Sequence, residues 1–419
     1  MAKNGFPPPA TRMTEWRMEI TSTERLGTAI LCAFLSTAAV AADDDRAFID
    51  WAKARAAPLE GDKAFQALDA DIATVRLIGV GESVHESATF AQFRARHLKD
   101  AVRRHRVTAL VMEAGMPETM AADDYVTGRT SKVDVPSEAI EWLRAWNLGE
   151  GKDRPVRLYG ADFSGRAGSM LPTLDRLAEL AKGNDELLAT IEALRPAAAK
   201  LEARWWKPAK EKYDALPPHE KALLVLKARG LFDQAGKATG PNAEWIQRLA
   251  LLIRYYEAFL RLDPFSPGMP REQAMADTLL WVVGKLPEGE KAIYWAHNAH
   301  VQRTATSGPA LPPGEHVSAG MLVTAVLGAK YYAIATAYGG PSLDKDLPPD
   351  PDGLDAILGA VAPAPFILPL RGSRPEAVDQ WLDVKRSLRF QVQYVNVAPG
   401  RAVDALVYFD RAAKPSVRY

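Results

Sequence analysis

The sequence predicts an α/β fold: a mostly parallel or mixed sheet flanked by helices, with a large all-helical insertion forming a side domain over the cleft. Three observations carry that reading. The short apolar runs IGVGE, LVMEAG and LYGAD, all between residues 77 and 162, each bring an acid to the end of a strand. Residues 170–286 then hold Ala, Leu, Glu, Lys and Arg at helical spacing with no strand signal. Strand character returns at Lys291–Asn298.

The chain opens on a segment that does not read as part of the fold. Residues 26–42, LGTAILCAFLSTAAVAA, are apolar and small; Arg25 precedes them and an Asp43-Asp44-Asp45 run follows. This is the pattern of a secretory signal over residues 1–42, and the run is short for a span of ~20 residues. The expectation is an exported bacterial protein, periplasmic or secreted, with no stable membrane insertion after cleavage. The single cysteine, Cys32, lies inside that run. The mature chain would then contain none, which excludes thiol catalysis, cysteine zinc sites and disulfides. The 52 basic residues balance 52 acidic ones, so no basic excess points to nucleic acid.

The elements follow in order. Residues 43–67 read as a helix with a Pro break. A strand ending at Glu82 leads through a Gly turn into a helix over about Glu86–His105, with Phe90, Phe93, His97, Leu98 and Val102 on one stripe. His97 sits among apolar positions as a core histidine, and His105 falls in the charged, solvated end. Val107–Ala114 is a second buried strand, Trp142–Leu148 a short helix, and Val156–Asp162 a third strand. These make up the first part of the core, residues 43–169. The insertion spans 170–286. The second part, 287–419, begins with the strand at Lys291–Asn298 and offers strands at Tyr331–Tyr338, Pro365–Leu370, Phe390–Asn396 and Ala405–Asp410.

Parallel strands joined by helices deliver their acids to one sheet edge, where open sheets bind ligands. The candidate catalytic groups there are Glu82, His85, Glu113, and His297 with His300; Arg94 is a bidentate anchor for Glu82 or Glu113. An imidazole beside a carboxylate stays basic enough to deprotonate water. No G-x-S-x-G elbow occurs, so water activated by His85 is the simpler proposal. His297 or His300 would polarise the carbonyl or hold the oxyanion. Asp162 and Trp295 are candidate substrate contacts. Aromatic residues of the insertion (Trp205, Trp206, Trp245, Tyr255, Tyr256, Phe259) either line an apolar cleft or fill a bundle core. A zinc or manganese site is the chemical rival, but H-x-x-H at a strand end lacks the defined geometry of H-E-x-x-H on a helix.

Gly81-Glu82-Ser83-Val84-His85, Arg94, Glu113 and Ala296-His297-Asn298-Ala299-His300 together resemble the erythromycin esterase family. The spacings are three from Glu82 to His85, twelve to Arg94 and 31 to Glu113. Tyr159-Gly160-Ala161-Asp162 and Arg271 with Met275-Ala276 add to the match, which covers roughly residues 70–340. The resemblance implies a hydrolase without metal or other cofactor that acts on a small-molecule ester or opens a macrolactone ring. By position, His85 is the base and Glu82, Glu113, Arg94, His297 and His300 complete the cluster. The chain departs from the family pattern at two places: Val84-His85-Glu86 stands for Thr-His-Gly, and Arg271-Glu272 for Arg-Asp. The alternative is a metal-dependent envelope hydrolase, or a haem- or ligand-binding protein of the same fold.

Overall fold

The strands are almost wholly apolar and buried on both faces, as parallel strands must be when helices cover both sides of a sheet. In the computed structural model, which describes residues 45–61, 63–133, 137–262, 269–309, 311–343, 347–391 and 393–414, the strands form one eight-stranded sheet. They are β1 (Ala57–Pro58), β2 (Leu77–Glu82), β3 (Val107–Gly115), β4 (Arg157–Asp162), β5 (Lys291–His297), β6 (Tyr331–Tyr338), β7 (Phe366–Pro369) and β10 (Ala405–Phe409), in the order β1-β7-β10-β6-β2-β5-β3-β4. From β10 to β4 all neighbours are parallel. β7 runs antiparallel to both β10 and β1, so the sheet is mixed. The predicted leader, residues 1–42 with Cys32, lies outside the described residues. Among those described, no helix is long and apolar enough to cross a membrane.

Two layers of apolar side chains sandwich the sheet. One holds Leu77, Val111, Leu279 and Tyr294; the other holds Ile78, Val80, Phe90 and Leu110. Alternation along β2 and β3 sends neighbouring residues to opposite layers. Helix Ala88–His105 is capped by Ser87, whose side chain accepts from the Phe90 amide. Its apolar stripe packs on β2 and β3. His97 is 1% exposed, set edge-on to Phe65 at 5.3 Å. Burial pushes it down to about 3, so it is a neutral core residue. His105, expected in solvent, instead pairs with Asp69 at 3.1 Å.

Between β4 and β5 the chain is helical: Leu171–Leu180, Asp185–Leu201, Trp206–Asp214, Pro218–Ala235, Ala243–Arg261 and Pro270–Lys285. These helices bury their own apolar cluster, including Leu174, Leu194, Leu231, Leu249 and Ile253. Tyr256 and Phe259 belong to that core. Trp205 stands apart at 41% exposure. The last helix, Pro270–Lys285, joins this cluster through Ala274 and packs on the sheet through Met275, Leu279 and Val282.

One sequence expectation changes. The stretch Phe390–Asn396 is not a single strand. It crosses the turn of a separate hairpin, β8 (Arg386–Phe390) with β9 (Gln393–Val397). Gln391 takes a left-handed backbone, φ 57°, which ends the first strand.

Leu231 is fully buried among the insertion helices. Leu231→Ala is expected to lower stability by about 2–5 kcal/mol through lost burial and the cavity left behind. The urea midpoint, with unchanged m-value, checks it.

Candidate active site

Glu82 is the last residue of β2 and His297 the last of β5, and the two face each other in register. β3 carries Glu113 to the same edge. The β3–β4 pairing slips between Met112 and Gly115, and such a bulge re-aims the side chains it contains. The turn after β5 closes tightly on the sheet: a Cβ on Gly81 would lie 2.2 Å from Asn298 Oδ1. Asn298 is pinned to β6 by donating to the Thr336 carbonyl at 2.8 Å and accepting from the Thr336 amide at 3.1 Å. Glycine at 81 therefore lets the histidine-bearing turn rest on β2.

Around this edge the polar groups form two connected clusters. In the first, His85 Nδ1 lies 2.8 Å from Glu82 Oε1, and Arg94 Nη2 lies 2.9 Å from Glu82 Oε2. Glu82 is thus spanned by a cation and an imidazole. The anchor role expected of Arg94 falls on Glu82, not on Glu113. In the second, Glu113 Oε1 meets Arg271 Nη2 at 2.9 Å and His300 Nε2 at 3.2 Å, while its Oε2 accepts from the His297 amide at 2.7 Å. His300 Nδ1 reaches Glu272 at 2.7 Å. Arg271 closes the chain on Asp162, with Nε at 2.9 Å and Nη2 at 2.5 Å.

The three histidines of the edge occupy three different electrical environments. Burial alone would keep His300 neutral, but the charges of Glu272 and Glu113 outweigh it and raise it to about 10. His300 is therefore an imidazolium with both N–H groups given to carboxylates. Burial takes His297 the other way, to about 3, helped by its cationic neighbours. Its Nε2–H donates to the Ser83 carbonyl at 3.1 Å and its Nδ1 accepts from the Ala299 amide at 3.2 Å. Neither ring has a donor left for an oxyanion, which corrects the expectation from sequence. His85 differs from both. Burial lowers it, but the hydrogen bond to Glu82 and the charges of Glu113 and Glu82 more than compensate, so its net shift is upward. Its side chain is 46% exposed, and with Nδ1 donating to Glu82, Nε2 is the basic atom. Glu113 is pulled up by burial but held far below the usual carboxylate range, first by His300, then by His85 and Arg271.

Glu82, His85, Arg94, Met112, Glu113, Trp295 and Ala296 line a cavity of about 90 Å³. A space of this size is on the scale of a few waters or a small functional group. Trp295 therefore stands where a substrate contact was expected, with the Arg94 guanidinium over its ring at 5.3 Å. Asp162 does not line the cavity; it sits beneath Arg271. Among the described residues no group of three or more His, Cys, Asp or Glu is arranged to hold a metal ion.

Arg271 and Glu272 are the site residues that the sequence reading left outside its candidate set. A signal was present. Glu272 shares a helical stripe with the buried Met275, Ala276 and Leu279, spacing that turns an acid toward the core.

An imidazole polarised by one acid, and open to a space that water can fill, stands at the sheet edge of this α/β fold, an arrangement compatible with hydrolytic chemistry. Likeness to known proteins narrows the class. The erythromycin esterase family profile matches residues 102–412, and the chain belongs to that family. Erythromycin esterase type I of Escherichia coli is 23% identical over 398 residues, 84% of this chain and 95% of its own length. Type II of the same organism is 22% identical over 269 residues, 57% of this chain and 64% of its own. The solved structure of a Bacillus cereus protein superposes with a TM-score of 0.73 at 21% identity, covering 90% of this chain and 99% of that one. An erythromycin esterase mutant in its open conformation gives 0.69 at 20% identity, covering 86% and 97%.

The raised His300 gives a signed pH dependence. Its contribution to stability is complete below ~6.5, the unfolded value, and is lost as pH rises through about 10. The urea midpoint should fall over that window, and His300→Gln should both lower it at pH 7 and remove this part of the fall.

Proposed function

We propose that this protein hydrolyses carboxylic esters, with macrolide lactone ring opening as the candidate reaction, through water activated by His85 and without a metal ion. The observation that carries the reading is the His85–Glu82 contact of 2.8 Å in the wall of a water-sized cavity. His85 Nε2 removes a proton from water as the oxygen attacks the ester carbonyl carbon. Glu82 and Glu113 stabilise the imidazolium that forms. Collapse of the tetrahedral intermediate expels the alcohol oxygen, which takes the proton back from Nε2, so one water is added overall. Arg94 is the cationic side chain of the cavity wall, and we assign it to the developing oxyanion. The donor set supports a metal-free route: both nitrogens of His297 and of His300 already serve other partners.

Macrolide substrates are suggested by the names of the relatives. The cavity is small beside a macrocycle, so the body of a large lactone would rest outside it while its ester group enters. The leader-like residues 1–42 support export to the periplasm or beyond.

His85→Ala is expected to lower kcat by roughly 10²–10⁴-fold, the usual share of general-base catalysis, with the thermal midpoint little changed. Mass spectrometry of macrolides and simple esters should show a product heavier by one water with the native protein and none with the variant. Retained hydrolysis by His85→Ala would remove it as the base. Because the base must be neutral, kcat/KM should rise with pH through a value higher than that of a free histidine. Glu82→Gln removes the largest upward influence on His85; the acid limb should move to lower pH while kcat falls.

A further inference from the structure

Outside the cluster just described, the feature that reaches furthest is the tip of the β8–β9 hairpin. This hairpin is not part of the main sheet, yet its turn bears directly on the loop that carries His85. The Gln391 amide donates to the Ser83 carbonyl at 2.6 Å. The Gln391 side-chain Oε1 accepts from the His85 amide at 2.8 Å. The Ser83 carbonyl is the same oxygen that takes the His297 Nε2–H. One residue before the tip, Phe390 sets its ring edge-on to His297 at 5.2 Å. Gln391 makes these contacts from φ 57°, a region that glycine or asparagine occupies far more readily. Ordinary residues held there mark places where the surroundings fix the backbone, often beside a functional group.

We propose that Gln391 is a positioning residue for the general base: its reciprocal pair of hydrogen bonds clamps Ser83 and His85 so that the imidazole stays seated on Glu82. The inference rests on His85 being the base. The clamp acts on backbone, so its loss leaves the ring in place but free to drift from Glu82. Proton transfer at a misplaced ring is slow, because angstrom-scale errors of alignment are costly. Substrate affinity should change little, since Gln391 is not among the residues lining the cavity. The charged and titratable groups facing His85 are Glu82 from β2, Glu113 from β3, and His297 and His300 from the segment ending β5. On the other side of Glu82 lies Arg94, and next to the ring in the chain stands Glu86, paired with Arg166 at 2.7 Å.

Two substitutions test the clamp. Gln391→Gly removes the acceptor and relieves the left-handed strain together, so stability should hold or rise. Its kcat should nonetheless fall about tenfold, with KM within about twofold. Its His85 ring resonance, followed by NMR, should titrate closer to the ordinary histidine value. Gln391→Glu keeps an acceptor at the same reach; it should retain kcat within about threefold, and His85 should titrate at or above the native value. A Gln391→Gly protein with native kcat and native His85 titration overturns the proposal. The titration needs no turnover. A native protein that opens no ester therefore refutes the proposed reaction, while the shift of His85 in Gln391→Gly still decides the clamp.

Discussion

The site depends on keeping one carboxylate, Glu113, charged although its side chain is only 10% exposed. An isolated buried carboxylate is strongly disfavoured, and removing one partner of a buried ion cluster typically costs about 3–5 kcal/mol. Glu113 is tolerated because every oxygen is answered: Arg271 and His300 on Oε1, the His297 amide on Oε2. The carboxylate and its partners come from three separate stretches of chain. Glu113 belongs to β3, Arg271 to the first turn of the last insertion helix, and His297 and His300 to the end of β5 and the turn after it. Charge satisfaction at one point thus ties the insertion to the sheet and fixes the edge on which His85 sits.

Around that point the chain uses the same side chain for three purposes. His297 is neutral and spent on backbone groups. His300 is cationic and spent on two acids. His85 has Nδ1 on Glu82 and lines the cavity, and its net shift is upward. The general rule for acid–base sites is that environment, not residue type, assigns the roles. Here it holds His297 neutral and His300 charged, and sets His85 apart from both. The two fixed rings still matter to the third. His300 pulls the affinity of His85 for a proton down while Glu82 and Glu113 push it up, so the basicity of His85 is a balance of opposing charges rather than the effect of one neighbour.

Much of this was legible in the sequence, and what was not has a physical explanation. The acid-ended strands β2, β3 and β4 announce themselves because strands buried on both faces are apolar throughout, and an acid at the end has to have a partner. Glu82, His85 and Arg94 lie within a single strand–loop–helix, so local spacing suffices to group them. The roles of His297 and His300 could not be separated from sequence, because spacing says that two rings are close but not which atom each nitrogen meets. Asp162 was placed at this edge as a substrate contact; its oxygens meet Arg271, 109 residues away, and the Phe163 amide, pairings that local spacing does not reveal. Gln391 was hidden inside an apparently continuous strand, since none of residues 391–395 is the glycine or asparagine that usually signals a turn.

The departure from family pattern at Glu86 belongs to the same account. Glu86 has φ 56°, so an ordinary residue takes up a conformation suited to the glycine that the family pattern places there. Its side chain finds Arg166, itself at φ 55° in the turn after β4. Both side chains are well exposed, and a surface ion pair of this kind is worth at most about 1 kcal/mol. The pair therefore cannot be what imposes the backbone strain at residue 86. The stronger restraints lie one to three residues earlier: the Ser83 amide on Thr336 Oγ1 at 2.9 Å, the Ser83 carbonyl on His297 and Gln391, and the His85 amide on Gln391. With the loop held from β6, from β5 and from the hairpin, residue 86 must take whatever angle joins that fixed loop to the helix beginning at Ala88. The strain at Glu86 is then a consequence of how firmly the residue before it is held, and it appears beside the one imidazole whose placement the chemistry cannot relax.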